Sequence, residues 1–166
     1  MEITATHTYQ HAADRVFAVL TDFDAIRAKY EALGQEDVEL IDRTEADDGS
    51  VMIVTRRIVP LELPGFAKKV LSPRQAVTQT DHWRAPDAKG AREGTFAVEA
   101  KGSPVHIRGT LHLTPKGAKA CANDTHVTVE CKVPLIGGKI ADFVAGDTRR
   151  AVEHEQTWMR KRLAAK

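Results

Sequence analysis

The sequence predicts an α+β fold in which a curved antiparallel sheet of seven strands wraps around one long C-terminal helix. Three observations carry this prediction. Seven segments show strand patterns and are joined mostly by short, turn-rich connections, which is typical of an antiparallel meander. Two short helical patterns interrupt the strands once, after the first. An amphipathic pattern over 139–163 closes the chain, and at about 1.5 Å per residue it would run roughly 37 Å, enough to cross a sheet and leave a hollow beneath it.

The first 34 residues define the start of this order. Residues 2–9 alternate in polarity, as a half-buried strand does. Helices are predicted over 12–20 and 23–33, with Asp22 as the N-cap of the second and Gly34 at its end. The other six strands are predicted over 37–43, 51–59, 75–84, 95–101, 105–114 and 125–133.

The composition argues against several classes of function. The 166 residues fit one domain, predicted to span 1–166, and the 24 Lys and Arg against 23 Asp and Glu leave a net charge of +1, so we predict no nucleic-acid partner. Basic pairs such as Arg56 and Arg57 are interpreted as solvated surface. Two cysteines, no leader-type start and no apolar run of about 20 residues predict a cytoplasmic protein that is not integral to a membrane.

No motif for catalysis, a cofactor or a metal is present. The phosphate-cradling glycine loops, the GxSxG elbow and the HExxH helix are all absent. His112 and His126 are predicted on the outer face of the last two strands. The sequence shows no third residue at a spacing typical of metal ligands. We therefore predict no cofactor and no metal, and the question of catalysis stays open.

The last two strands permit a prediction of their register. Centring the hairpin on the loop 115–124 pairs Arg108 with Glu130, Thr110 with Thr128 and His112 with His126, all on the outer face. The first two pairs are favourable cross-strand neighbours, and this is the reason for choosing the register.

The terminal helix carries a mixed inner face. Four residues share one narrow arc: Ile140, Val144, Ala151 and Trp158. Thr148 and Glu155 fall inside the same arc, and a buried carboxylate without a partner is costly. Two alternatives stay open. In the first, the helix end projects past the sheet, and Glu155 is hydrated or paired with an arginine. In the second, Thr148 and Glu155 face a partly hydrated cavity and orient a ligand.

The strand 75–84 is ambiguous in the same way. Val77, Gln79, Asp81 and Trp83 point to one side of it. This mixture indicates either a water-filled hollow on the inner face or a sheet edge that is solvated on both faces.

The apolar segment 60–69 is the candidate gate. Leu61, Leu63 and Phe66 need burial or a ligand, and loops at a cavity mouth often carry function. The alternative is a loop that simply packs over the sheet.

A pattern along nearly the whole chain points to a known superfamily. It comprises the opening strand with Tyr9, the stretch 14–17, the strand of Trp83, the turn 102–104, Gly109 and the junction 133–140. The order of elements is also specific: one strand, two helices, six strands and a long helix. In these features the chain resembles the START-related, or SRPBCC, superfamily of lipid-transfer-like proteins, which has the helix-grip fold. Within that superfamily it resembles a bacterial family of unknown function. The resemblance implies a deep cavity between helix and sheet for lipids, sterols, polyketides or other apolar molecules. It implies that the protein binds a ligand and leaves open whether it also catalyses a reaction. It carries over no catalytic residue.

We therefore predict a protein that binds a hydrophobic or amphipathic small molecule. The predicted walls are Trp83, Phe96, Val98, Ile107, Leu111, Val129, Ile140, Val144, Thr148 and Ala151. Leu61, Leu63 and Phe66 are predicted to guard the mouth, and Asp81, Thr148 and Glu155 to orient the ligand.

Two other classes of function stay open, as do the ligand and the oligomeric state. One is an enzyme of the cyclase or dehydratase type that uses a cavity carboxylate as general acid or base. The other is a protein-interaction module with a filled core, which would show no pocket of about 300 Å³ or more and an exposed apolar patch instead.

Overall fold

The computed structural model describes residues 1–165 and confirms the predicted fold class. The strands are β1 (Glu2–Tyr9), β2 (Glu36–Glu45), β3 (Val51–Pro60), β4 (Arg74–Trp83), β5 (Arg92–Ala100), β6 (Val105–Pro115) and β7 (Cys121–Cys131). The helices are α1 (Ala13–Leu20), α2 (Phe23–Ala32) and α3 (Gly137–Ala164), and one 3₁₀ turn covers Gly65–Ala67. All neighbouring strands pair antiparallel in the order β1-β7-β6-β5-β4-β3-β2, so α1 and α2 connect the two edges of one sheet.

The hydrophobic core is divided between the two ends of α3. At its C-terminal end, Met159 and Leu163 pack with Trp83, Phe17 and other buried residues. At its N-terminal end, a second buried cluster surrounds Ile140. The residues of α3 between these clusters belong to neither, so the middle of the helix has no solid core beneath it.

The register of the last hairpin differs from the predicted one by two residues. Arg108 lies opposite Thr128, Thr110 opposite His126 and His112 opposite Asp124. The prediction was wrong because β7 begins at Cys121 rather than at 125, and the turn closes tightly with the amide of Lys116 donating to the carbonyl of Ala120 at 2.8 Å. Because side chains alternate with a period of two, this slip leaves every residue on the predicted face.

Two glycines allow large aromatic rings to lie flat on the inner face. Gly94 lies directly opposite Trp83 and Gly109 directly opposite Phe96. A Cβ on Gly94 would come within 2.8 Å of the Trp83 ring, and one on Gly109 would overlap the Phe96 ring. Each ring therefore occupies the space above a residue without a side chain, which gives the sheet its concave aromatic floor.

Candidate functional site

A hollow of about 250 Å³ lies beneath the middle of α3. Its floor is the inner face of the sheet, and its roof includes Thr148, Ala151 and Glu155 of α3. One side is closed by α2, and Leu61 and Leu71 border the hollow from the segment between β3 and β4. The volume lies below the roughly 300 Å³ at which ligand pockets usually begin, so the argument for a ligand rests on the chemistry of the walls and not on the size of the hollow.

Most of the predicted site residues lie around this hollow. Those on its walls are Trp83, Phe96, Val98, Ile107, Leu111, Val144, Thr148, Ala151, Asp81, Glu155 and Leu61. Four others lie elsewhere. Val129 and Ile140 are fully buried in the solid cluster at the start of α3, and Leu63 packs against the same cluster. Phe66 is 40% exposed, with the Lys139 Nζ 5.9 Å from the centre of its ring.

A chain of polar side chains crosses the wall between α2 and β4. The Tyr30 hydroxyl donates to Gln79 Oε1 at 3.2 Å, and Gln79 Nε2 donates to Asp81 Oδ1 at 2.9 Å. β4 lies inside the sheet, between β3 and β5, and not at its edge. The polar side chains of β4 therefore belong to the hollow and are not a sign of a solvated sheet margin.

Burial controls the protonation of two acidic groups in this hollow. Burial raises the pKa of Asp81, and this effect outweighs the hydrogen bond from Gln79 and the attraction of Lys29 and Arg57. Burial likewise raises the pKa of Tyr9 to about 12. Asp81 therefore holds its proton to a higher pH than an exposed carboxyl group does.

One ion pair joins α2 to α3 across the hollow. The Lys29 Nζ lies 3.6 Å from Glu155 Oε2, and the two side chains are 14% and 34% exposed. Burial is the largest single influence on Lys29 and disfavours its charged form, but the attractions of Glu155, Tyr30 and Asp81 together outweigh it, and the net pKa of Lys29 is raised. The partner of Glu155 is thus a lysine, where the sequence suggested an arginine. The Thr148 hydroxyl donates to the Val144 carbonyl at 2.8 Å, which leaves its oxygen free only as an acceptor.

The most unexpected wall residue is Arg57. Only 6% of it is exposed, its Nε donates to Gln35 Oε1, and its guanidinium lies 3.8 Å from the centre of the Tyr30 ring. Its Nη1 has no hydrogen-bond partner among residues 1–165. The interpretation of Arg56 and Arg57 as surface was therefore wrong for Arg57, whereas Arg56 points outward to Glu39 at 2.8 Å.

Sequence reasoning missed several further residues of the site, among them Lys29, Tyr30 and Arg57. For Arg57 a signal was present, because it shares strand parity with Val51 and Ile53, which are buried. For Lys29 and Tyr30 no comparable signal exists, since the angle at which α2 packs depends on the whole sheet.

The opposite wall holds a second pair of buried polar groups. His7 of β1 and Asn123 of β7 are cross-strand partners that both line the hollow. His7 Nε2 and Asn123 Oδ1 make no hydrogen bond within the described chain, although His7 Nε2 lies 3.6 Å from Glu153 Oε1. Buried polar atoms without partners are costly, so these two atoms remain available for further hydrogen bonds.

Neither a metal cluster nor a membrane span is found within residues 1–165. No three His, Cys, Asp or Glu side chains come together as metal ligands there. None of the helices in that range is both long and apolar enough to cross a bilayer.

The architecture, a curved antiparallel sheet wrapped on one long helix, is the helix-grip fold. The chain belongs to the family described as "Protein of unknown function (DUF2505)", whose model matches residues 4–163. An uncharacterized protein of Mycobacterium tuberculosis is 28% identical to it over 112 residues, which are 66% of this chain and 64% of that protein. The match thus spans less than two thirds of the relative's own length.

Solved structures share the fold over almost the whole chain. An aromatase/cyclase from Streptomyces sp. R1128 superimposes with a TM-score of 0.63 and 16% identity, over 98% of this chain and 92% of that one. A START superfamily protein from Mycobacterium smegmatis gives a TM-score of 0.57 and 14% identity, over 98% of this chain and 99% of that one. Identities this low establish a common fold and leave the ligand to be argued from the site.

Proposed function

We propose that this protein binds a small amphipathic molecule in the hollow beneath α3. The observation that carries the proposal is the division of the core into two clusters, with a wall of mixed polarity between them. Tyr30, Gln79 and Asp81 form a hydrogen-bonded chain on the inner face. Burying polar groups is costly, so a protein whose core is simply filled would be expected to have apolar side chains at these positions. A site for an amphipathic ligand requires this combination of apolar walls and a few fixed polar groups.

The proposal can be tested with eight-carbon probes, which suit a small hollow. Octanoate and 1-octanol are titrated into the protein by isothermal titration calorimetry at several temperatures. We expect one site with a negative heat-capacity change, which is the marker of apolar surface being buried. Absence of saturable binding for both probes would contradict the proposal.

A pair of variants on one helix supplies the control. Ala151 lines the hollow, and His154, three residues later on α3, is exposed. Ala151→Trp should fill the hollow and abolish binding, whereas His154→Trp adds the same ring outside and should leave binding unchanged. Equal effects of the two variants would place any observed binding elsewhere on the protein.

A second candidate function is an acid-catalysed cyclisation or dehydration within the same hollow. The observation in its favour is the raised pKa of Asp81, which burial holds toward the protonated form of a general acid. Glu155 fits this task less well because it is engaged with Lys29. The test compares Asp81→Asn with wild type once a bound molecule is known. Lost turnover with retained affinity supports an enzyme, and unchanged turnover excludes Asp81.

A further inference from the structure

Of the two cationic side chains that line the hollow, Lys29 and Arg57, only Lys29 forms an ion pair within the described chain. Lys29 is paired with Glu155 at 3.6 Å. Within residues 1–165, no carboxylate oxygen lies within 4.0 Å of the Arg57 guanidinium. Asp81 lies within electrostatic range of Arg57 but forms no ion pair with it, and burial raises the pKa of Asp81. Arg57 is therefore a buried cation without an ion-paired carboxylate in the described chain.

The surroundings of Arg57 fix its position without neutralising it. Gln35 accepts the hydrogen bond from Nε, and the guanidinium carbon lies over the Tyr30 ring, 3.8 Å from its centre. Both contacts are with uncharged groups. A guanidinium always stays charged in proteins and has five N–H donors in a planar fork, so the donors at Nη1 still require an acceptor.

We propose that Arg57 binds the carboxylate of an amphipathic ligand whose hydrocarbon part lies against the apolar walls formed by Val98, Ile107 and Val144. This deepens the proposed function and rests on it. The planar fork of an arginine matches the two oxygens of a carboxylate, and such charge-assisted bonds are about twice as strong as neutral ones. A singly charged head group also matches one uncompensated cation.

The test uses wild-type protein and the two probes that differ only in the head group. Octanoate is ionised at pH 7 and 1-octanol is neutral. We expect octanoate to bind at least about tenfold more tightly, since each tenfold corresponds to about 1.4 kcal/mol and bonds to charged groups reach that range. Equal affinity, or tighter binding of 1-octanol, would overturn the assignment of Arg57 while leaving the hollow as a binding site. Binding of neither probe would overturn both proposals.

Neighbouring residues on β3 provide a matched pair of variants. Arg57→Met keeps the length of the side chain and removes its charge inside the hollow. Arg56→Met makes the same change on the outer face, where Arg56 is half exposed and bonded to Glu39. We expect Arg57→Met to weaken octanoate at least about tenfold and to leave 1-octanol within about twofold, with Arg56→Met changing neither. Retention of full octanoate affinity in a folded Arg57→Met protein refutes the proposal. Should that variant fail to fold, the wild-type comparison of the two probes decides alone.

Discussion

Replacing Gly109 by alanine is expected to destabilise the protein and to narrow the hollow at the same time. An added Cβ would overlap the ring of Phe96 and lie 2.9 Å from the carbonyl oxygen of His126 on the neighbouring strand. The carbonyl is held in the β6–β7 ladder and has little freedom to move. The Phe96 ring lines the hollow, which offers space into which the ring can be displaced. Overpacking of this kind typically costs about 1–3 kcal/mol.

The expected size of the effect can be measured by thermal unfolding. For a chain of this length each kcal/mol shifts Tm by about 2–4 °C, so Gly109→Ala should lower Tm by roughly 2–12 °C. It should also weaken the binding of 1-octanol. The matched control is Gly138→Ala, because nothing lies within 4 Å of a Cβ at that position in α3. Alanine there should be neutral or stabilising by up to about 1 kcal/mol.

A double-mutant cycle isolates the contact with the ring. Phe96→Leu removes the overlapping ring atoms, so Gly109→Ala should cost less in that background than in wild type. We expect a coupling of at least about 0.5 kcal/mol, as is usual for residues in contact. Additive free energies of unfolding, or a Gly109→Ala protein as stable as wild type, would refute the explanation that Phe96 occupies the space above Gly109.

Three further predictions concern other parts of the chain. Leu135 is fully exposed with φ of +70°, so Leu135→Gly should stabilise the protein by about 1 kcal/mol in urea unfolding, and an unchanged midpoint would contradict this. Because burial raises the pKa of Asp81, the folded state binds its proton more tightly than the unfolded state, and stability falls as pH rises from the ordinary carboxyl range near about 4 through the raised value. Asp81→Asn should therefore be more stable than wild type in urea at pH 7, with the difference shrinking toward pH 4; a constant difference would argue against it. Cys121 is buried and burial raises its pKa, so its thiol should react with a disulfide reagent only on unfolding, whereas fast reaction in the native state would be inconsistent with this packing.

The order of elements was accessible from the sequence because each signal is local. The N-cap at Asp22, which accepts from the amide of Ala25 at 2.9 Å, could be identified from residue type and spacing. The parity of Gln79 and Asp81 with Trp83 likewise identified one face of β4 correctly. The register of the last hairpin could not be derived in this way, because the sequence alone did not show that β7 starts four residues earlier.

The walls of the hollow depended on contacts between distant elements. Val129 and Ile140 satisfy the periodicity of wall residues, yet both are buried in the packed cluster where α3 begins. Whether an inner-face residue is packed or borders space depends on the distance between helix and sheet at that point, which no local pattern encodes. Lys29 could not be predicted as a site residue for the same reason, because it lies next to Glu155 only through the packing of α2 against the rest of the fold.

The most direct test of the central claim is to locate a bound probe by NMR, using protein with labelled methyl groups and saturating octanoate. Nuclear Overhauser contacts should connect the hydrocarbon chain to the methyl groups of Val98, Ile107 and Val144, which line the hollow. The methyl groups of Val129 and Ile140, buried in the solid cluster, should show none. Contacts confined to exposed side chains such as Leu135, or no contacts at saturation, would contradict the claim that the space beneath α3 is a binding site.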